Sequence, residues 1–266
     1  MRKSILLLAV FFASILLNFA IALPGRGANL YFTDAMESRG SIYKYLGPSV
    51  PVEVVYKRSR GRIYSFLIHW SGSERKVYYV NANENKIYLA WHTATGWKET
   101  IVYTHSTYVR DIAWGPGRYV GKHYVPDLYF SEALGSAGNG KIYRLVNGKA
   151  KLYYEVKLED VGGFWAGDFT FANSTLYLSS GNRIPASIYK VVGGKVIKIF
   201  TSNKMPIKGI YYVRGSTPSH PGYIYFANFR SEIYRLDLLT KRATLVFSSK
   251  KYRWLSDVYV IGRSIP

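Results

Sequence analysis

The chain has 266 residues, 36 of them Lys or Arg against 16 Asp or Glu, for a formal charge of +20. It has no Cys, which excludes a disulfide framework, a thiolate zinc site and a Cys nucleophile. With 48% apolar residues and 25 Tyr it is too hydrophobic to be disordered, and its Tyr, Gly and Val outweigh the residues that a long coiled coil needs.

A basic start, Arg2-Lys3, leads into an apolar stretch from Ile5 to Ala22 that only Ser14 and Asn18 interrupt. Small residues, Ala20 and Ala22, stand where a signal peptidase reads, and Leu23-Pro24-Gly25 stops any helix. This pattern predicts an N-terminal signal helix over residues 1–22, removed on export. The same stretch nearly spans a bilayer, so an uncleaved anchor is the alternative. Either places residues 23–266 in a secreted or extracytoplasmic setting.

Two short units then recur. The first reads Leu30-Tyr31-Phe32, Val77-Tyr78-Tyr79, Leu128-Tyr129-Phe130, Leu176-Tyr177-Leu178 and Ile224-Tyr225-Phe226. About a dozen residues after each comes the second: Ile42-Tyr43-Lys44, Ile87-Tyr88-Leu89, Ile142-Tyr143-Arg144, Ile188-Tyr189-Lys190 and Ile233-Tyr234-Arg235. The central Tyr of the first unit recurs at intervals of 47, 51, 48 and 48 residues. Both units are β-branched and aromatic, bounded by Gly, Asn and Ser, and apolar on both faces, as strands in sheets covered on both sides are.

A turn and a third strand follow each Ile-Tyr unit: Val52–Tyr56, Glu99–Tyr103, Lys151–Tyr154, Val196–Phe200 and Ala243–Phe247. A fourth precedes the next marker: Ile63–Ile68, Asp111–Trp114, Asp168–Phe171 and Gly209–Val213. Four strands per repeat of about 49 residues predict an all-β, five-bladed β-propeller filling residues 23–266 as one domain. Blade one lacks its innermost strand, and Asp257–Ile261 at the other end of the chain supplies it, closing the ring without an open edge.

Tyr31-Phe32-Thr33-Asp34, with Gly40-Ser41-Ile42-Tyr43-Lys44 after it, resembles the repeat of Tyr-Trp-Thr-Asp propellers. The pattern is also similar to gluconolactonase and strictosidine-synthase-like propellers. That resemblance implies the propeller fold and, from the gluconolactonase-like family, a metal on the channel axis held by carboxylate and Asn side chains.

In a propeller the innermost strand begins at the face where the second strand ends. That face therefore gathers Asp111, Asp168, Gly209 and Asp257, with Tyr64 as the blade-two equivalent, around a second ring of Asp34, Asn81, Glu132, Ser180 and Asn228. Oxygen donors of this kind suit Ca²⁺ or Mg²⁺, with Asp34, Asp111, Glu132, Asp168 and Asp257 as candidate ligands. The structural alternative is that each Asp fixes a turn or pairs with a neighbour such as Arg110 or Lys208. Trp165 and Trp254 precede inner strands on the same face. With Asn81 and Asn228 they are candidate ligand-binding residues, unless the Trp side chains wedge between blades.

The five His are scattered, no Ser stands in a nucleophile elbow, and Gly135–Gly140 joins two strands and does not open a helix. The functional expectation is a binding module for a protein or glycan at the cell envelope or outside the cell. The alternative is an enzyme, either a metal-dependent lactonase-like hydrolase or a glycosidase using axial carboxylates. Basic residues spread over the turns suit anionic lipid or acidic polysaccharide outside the cell. Nucleic acid would suit the same charge, but export argues against it.

Overall fold

The recurring units pair with one another, and that pairing organises the molecule. In a computed structural model the first unit of each repeat lies beside the second, with Phe32 opposite Tyr43, Tyr79 opposite Tyr88, Phe130 opposite Tyr143, Leu178 opposite Tyr189 and Phe226 opposite Tyr234. Four of these cross-strand pairs are stacked aromatic rings, with centroids 5.3, 5.1, 5.1 and 5.5 Å apart in blades one, two, three and five. The first member is fully buried in every blade. Cross-strand aromatic pairs are a main source of sheet stability, so one packing unit is reused five times.

The structure describes residues 29–35, 40–58, 61–71, 74–81, 84–181, 183–228 and 230–262. The apolar segment 1–22 lies outside the described residues. Twenty strands form five four-stranded antiparallel sheets. Blade one comprises β1 (Asn29–Asp34), β2 (Ser41–Tyr45) and β3 (Glu53–Lys57), and β20 (Leu255–Ile261) joins it as innermost strand. Blade two is β4 (Ser65–Ser71), β5 (Glu74–Val80), β6 (Lys86–Thr93) and β7 (Gly96–Thr104). Blade three is β8 (Asp111–Val120), β9 (His123–Glu132), β10 (Gly140–Val146) and β11 (Lys149–Val156). Blade four is β12 (Phe169–Ala172), β13 (Thr175–Ser179), β14 (Ala186–Val192) and β15 (Lys195–Ser202). Blade five is β16 (Lys208–Val213), β17 (Tyr223–Asn228), β18 (Glu232–Asp237) and β19 (Ala243–Ser248).

The ring closes as the sequence implies: β20 pairs antiparallel with β1 from Asn29 opposite Ile261 to Asp34 opposite Leu255. The first and last strands of the propeller thus hold each other, and neither blade five nor blade one ends in a bare inner edge.

The apolar core lies in the seams between blades. One cluster joins blades one, two and three, and others join three to four, four to five and five to one. The connection leaving each outer strand helps seal a seam. Tyr252, after β19, packs on Phe32 and Tyr43 at 5.2 and 4.6 Å between ring centroids. The Arg58 guanidinium, after β3, lies over Tyr79 and Tyr88 at 4.9 and 4.7 Å. His105, after β7, packs on Phe130 and Tyr143 at 5.0 and 4.9 Å. Arg58 is a buried cation, and Glu99 of blade two accepts its hydrogen bond.

All five blades share a β-bulge at one place. Register between the third and outer strands shifts after Ile42, Ile87, Ile142, Ile188 and Ile233, so each outer strand carries one extra residue there. A bulge raises local twist, which lets the outer strand turn away from the crowded axis.

Burial makes a clear distinction testable. Phe226→Ala should cost about 3–5 kcal/mol in urea unfolding, as a large buried ring lost without refilling. Ile197→Ala, on an exposed outer-strand position, should change stability by less than about 0.5 kcal/mol.

Candidate functional site

Strand polarity puts the inner-strand beginnings and second-strand ends at one end of the ring, here the upper face. The innermost strands converge there with a polar residue just before each apolar run: Ser65 before Phe66, Asp111 before Ile112, Asp168 before Phe169, Lys208 two before Ile210, and Asp257 before Val258. All five are buried.

These side chains bond from blade to blade. Asp257 Oδ2 accepts the Phe66 backbone N–H of blade two at 2.9 Å. Ser65 donates to Asp111 Oδ1 of blade three at 2.5 Å, and its oxygen also accepts the Ile112 N–H at 3.3 Å. Asp111 Oδ2 accepts the Phe169 N–H of blade four at 2.9 Å. Thr170 Oγ1 accepts the Tyr212 N–H of blade five at 3.2 Å. Lys208 Nζ reaches back to Asp168 Oδ1 at 2.5 Å and lies 4.6 Å from the centroid of the Tyr64 ring. The last seam, five to one, closes by contact. Gly209 has φ +54, and a Cβ there would stand 2.4 Å from Asp257 Cα, so only glycine fits the approach.

Below this belt the axis holds a cavity of about 50 Å³. Phe66, Trp114, Phe171 and Tyr211 wall it, and Asp111 and Asp257 reach it from above. Such a volume accommodates one or two waters and no sugar or lactone. Burial, then the Asp168 carboxylate, pushes Asp111 up to about 7. Burial, then Asp111, raises Asp257 well above the carboxylate range. Burial would lower Lys208, but Asp168 overrides it and keeps the ammonium charged.

The candidate metal ligands are therefore divided. Asp111, Asp168 and Asp257 meet near the axis, with their oxygens engaged by backbone N–H groups, Ser65 and Lys208. Asp34 Oδ2 accepts the Arg253 N–H at 3.0 Å. Glu132 bonds His105 Nε2 and the Tyr143 hydroxyl, both at 3.1 Å, and those bonds hold it below the usual carboxylate range although burial opposes them. Among the described residues no group of three or more His, Asp or Glu is gathered as a metal cage. An oxygen-ligand cation at this belt would have to displace these bonds, so the donor set does not fit Ca²⁺ or Mg²⁺.

The candidate ligand-binding residues also part ways. Trp165 is buried between blades three and four, its indole N–H donating to the Asp168 carbonyl at 3.3 Å. It is a wedge and offers no ring face to a ligand. A Cβ at Gly140 would stand 2.1 Å from that ring. Asn228 is buried and fixes its turn, accepting the Arg230 and Glu232 N–H groups and donating to Glu232. Asn81 donates to Glu84 at 2.5 Å. Trp254 alone of the four presents a large surface, at 45% exposure.

Sequence alignment by repeat placed Tyr64 and Gly209 in the axial ring, each one residue before the polar side chain that belongs there or one after it. Ser65 has no place in the sequence expectation, and Lys208, expected there as a pairing partner for an Asp, is itself a member of the ring and pairs with Asp168. The available signal was a single polar residue directly ahead of Phe66-Leu67-Ile68 and of Gly209-Ile210.

Two measurements test this structural role. Lys208→Met strands Asp168 in the interior and should cost about 3–5 kcal/mol in chemical unfolding, whereas the double variant Lys208→Met/Asp168→Leu should recover most of it. The raised Asp111 carboxyl gives the opposite sign from ordinary acid unfolding. Its contribution is full below its unfolded value near about 4 and is lost as pH rises through about 7. From pH 8 to 5 the wild type should therefore gain stability relative to Asp111→Asn, and a constant difference across that range would refute the assignment.

No family model matches the chain, and no curated protein matches it. Among solved structures, a chain from the crystal structure of a nidogen–laminin complex matches with a TM-score of 0.51 at 11% identity, covering 88% of this chain and 98% of that one. At that identity the likeness establishes the β-propeller fold.

Proposed function

We propose that the chain is a non-catalytic interaction module outside the cytoplasm, engaging a protein partner through its upper face. The observation that carries this reading is the use of the axial polar groups: they hold blade to blade around a cavity too small for a substrate. Large side chains are instead exposed on the upper loops. Tyr108 lies in the connection from blade two to three, Leu134 and Ile184 in loops of blades three and four, and Trp254 in the connection from five to one. Arg183 stacks over Phe164 at 4.4 Å beside them. Trp, Tyr and Arg on a rim of loops are the side chains that dominate protein interfaces. The solved neighbour comes from a complex between two proteins. The apolar stretch Ile5–Ala22 supports export.

One observation favours the hydrolase alternative: Asp111 is held near neutrality on the axis, where a general acid is useful. A panel of lactones and polysaccharides, with and without EDTA, separates the readings. The expected result is no turnover, with Asp111→Asn unchanged from wild type. Turnover abolished by Asp111→Asn would make the axis an active site. For the interaction itself, a partner captured by surface crosslinking should lose at least about tenfold in affinity for Trp254→Ala/Tyr108→Ala at unchanged melting temperature.

A further inference from the structure

The opposite, lower face carries an independent pattern. Strand polarity places there the turns between first and second strands and between third and outer strands of every blade. Exposed apolar side chains stand on these turns in four blades: Leu46 and Val50 in blade one, Tyr119, Val120 and Tyr124 in blade three, Val192 in blade four and Leu239 in blade five. Tyr119 is 74% exposed and Leu239 62%. In blades three, four and five an exposed basic residue accompanies them on the same or the adjoining turn: Lys122, Lys149, Lys195, Lys241 and Arg242.

The carboxylates beside these turns are already matched. Glu53 faces Lys44, Glu74 faces Lys76, Asp127 faces Arg118 and Arg144, and Asp237 faces His220. Among the described residues no ion pair engages Lys122, Lys149, Lys195, Lys241 or Arg242. The lower face is thus a positively charged disc studded with apolar tips.

Blade three carries the longest inner hairpin. β8 and β9 have ten residues each, against four and five for β12 and β13. By strand length alone their hairpin extends further by roughly 15 Å. Its end carries Tyr119 packed edge-on against Tyr124, with Val120 and Lys122 at the turn. Tyr beside Lys is the composition of a segment lying at the boundary between headgroups and acyl chains.

The path of the chain points the same way. β1 is a second strand, so it starts at the lower face, and Asn29 marks where the N-terminal segment joins the propeller. Residues 23–28 separate Asn29 from the apolar stretch Ile5–Ala22. Fully extended they reach about 20 Å, so an apolar segment retained in a bilayer would hold this face, and not the upper one, toward the lipid.

We propose that the lower face docks on an anionic lipid surface, with the blade-three hairpin entering the headgroup layer and the basic turns of blades three, four and five drawing it down. A bilayer is a planar, negatively charged partner with an apolar layer behind the charge, and the disc has each complementary feature. The upper face would then point away from the lipid.

All twenty strands and the ring closure lie within residues 29–262, so residues 23–266 carry the whole propeller and lack the apolar stretch. Cosedimentation of that chain with phosphatidylserine/phosphatidylcholine vesicles, and with phosphatidylcholine alone, reads the interaction. Binding is expected only with phosphatidylserine and should weaken with salt. Each basic residue contributes about fivefold in partitioning, so Lys122→Ser/Lys195→Ser/Lys241→Ser/Arg242→Ser should lower it by at least about 100-fold. Tyr119→Ser/Tyr124→Ser should lower it further in physiological salt, at unchanged melting temperature. The matched upper-face variant Lys157→Ser/Lys204→Ser/Lys250→Ser/Lys251→Ser should bind as wild type. Equal losses from the two faces, retention on heparin without vesicle binding, or no binding at low salt would each overturn the proposal.

Discussion

A propeller blade is apolar on both faces and cannot bury either by itself. Everything in this molecule follows from that constraint: each face must be covered by a neighbour, and the ring must close. The stacked cross-strand pairs supply the covering surface five times. The connection from the preceding blade then seals it, by Tyr252, Arg58 and His105 in three of the seams. At the axis the same constraint becomes polar. Inner strands crowd together with one edge unpaired by any strand, and Asp257, Ser65 and Asp111 accept N–H groups from the start of the next blade's inner strand, as Thr170 accepts one further along. An orphaned buried N–H costs about as much as a lost hydrogen bond, so the carboxylates are explained before any ligand is invoked.

The repeat period, the blade count and the closing strand were legible because a regular packing unit leaves a regular trace in sequence. Tyr31, Tyr78, Tyr129, Tyr177 and Tyr225 stand in equivalent places, and so do their partners. What resists reading is any position where one physical job is done by different chemistry. Tyr252, Arg58 and His105 cap the same pair as an aromatic, a cation and an imidazole, so no periodicity connects them. Ser65 and Lys208 replace Asp in the axial ring, which moved the expected ring to Tyr64 and Gly209. The outer-strand bulge is hidden for another reason. Val55, Val102, Tyr153 and Val246 lie between residues as apolar as themselves, and composition does not show which one is unpaired. Trp165 shows a further limit: a large aromatic before an inner strand reads equally as wedge or as platform, and only Gly140 facing its ring decides the matter.

The excess positive charge has a similar physical division. Outer strands are the exposed edges of the five sheets, and Lys57, Lys98, Lys151 and Lys198 lie along them, where charge discourages strand addition by another chain. Part of the +20 is therefore a guard against aggregation. The lower turns are different, because their cations accompany exposed apolar tips and their carboxylates are bonded by other partners.

The axial belt also determines where function can vary. Asp111 bonds Ser65 on one side and Phe169 on the other, so replacing it loosens the seams from blade two to three and from three to four together. Widening the axis into a substrate channel would require breaking several such bonds at once, each shared between two blades. Apart from the seam-sealing residues Tyr252, Arg58 and His105, the turns and loops at the two faces carry no such shared load. They lengthen, as in the blade-three hairpin, or change composition, as around Trp254, without altering the stacked pairs or the belt. A closed ring with a locked axis thus concentrates recognition on its two faces, one rimmed by aromatic loops and the other by basic turns.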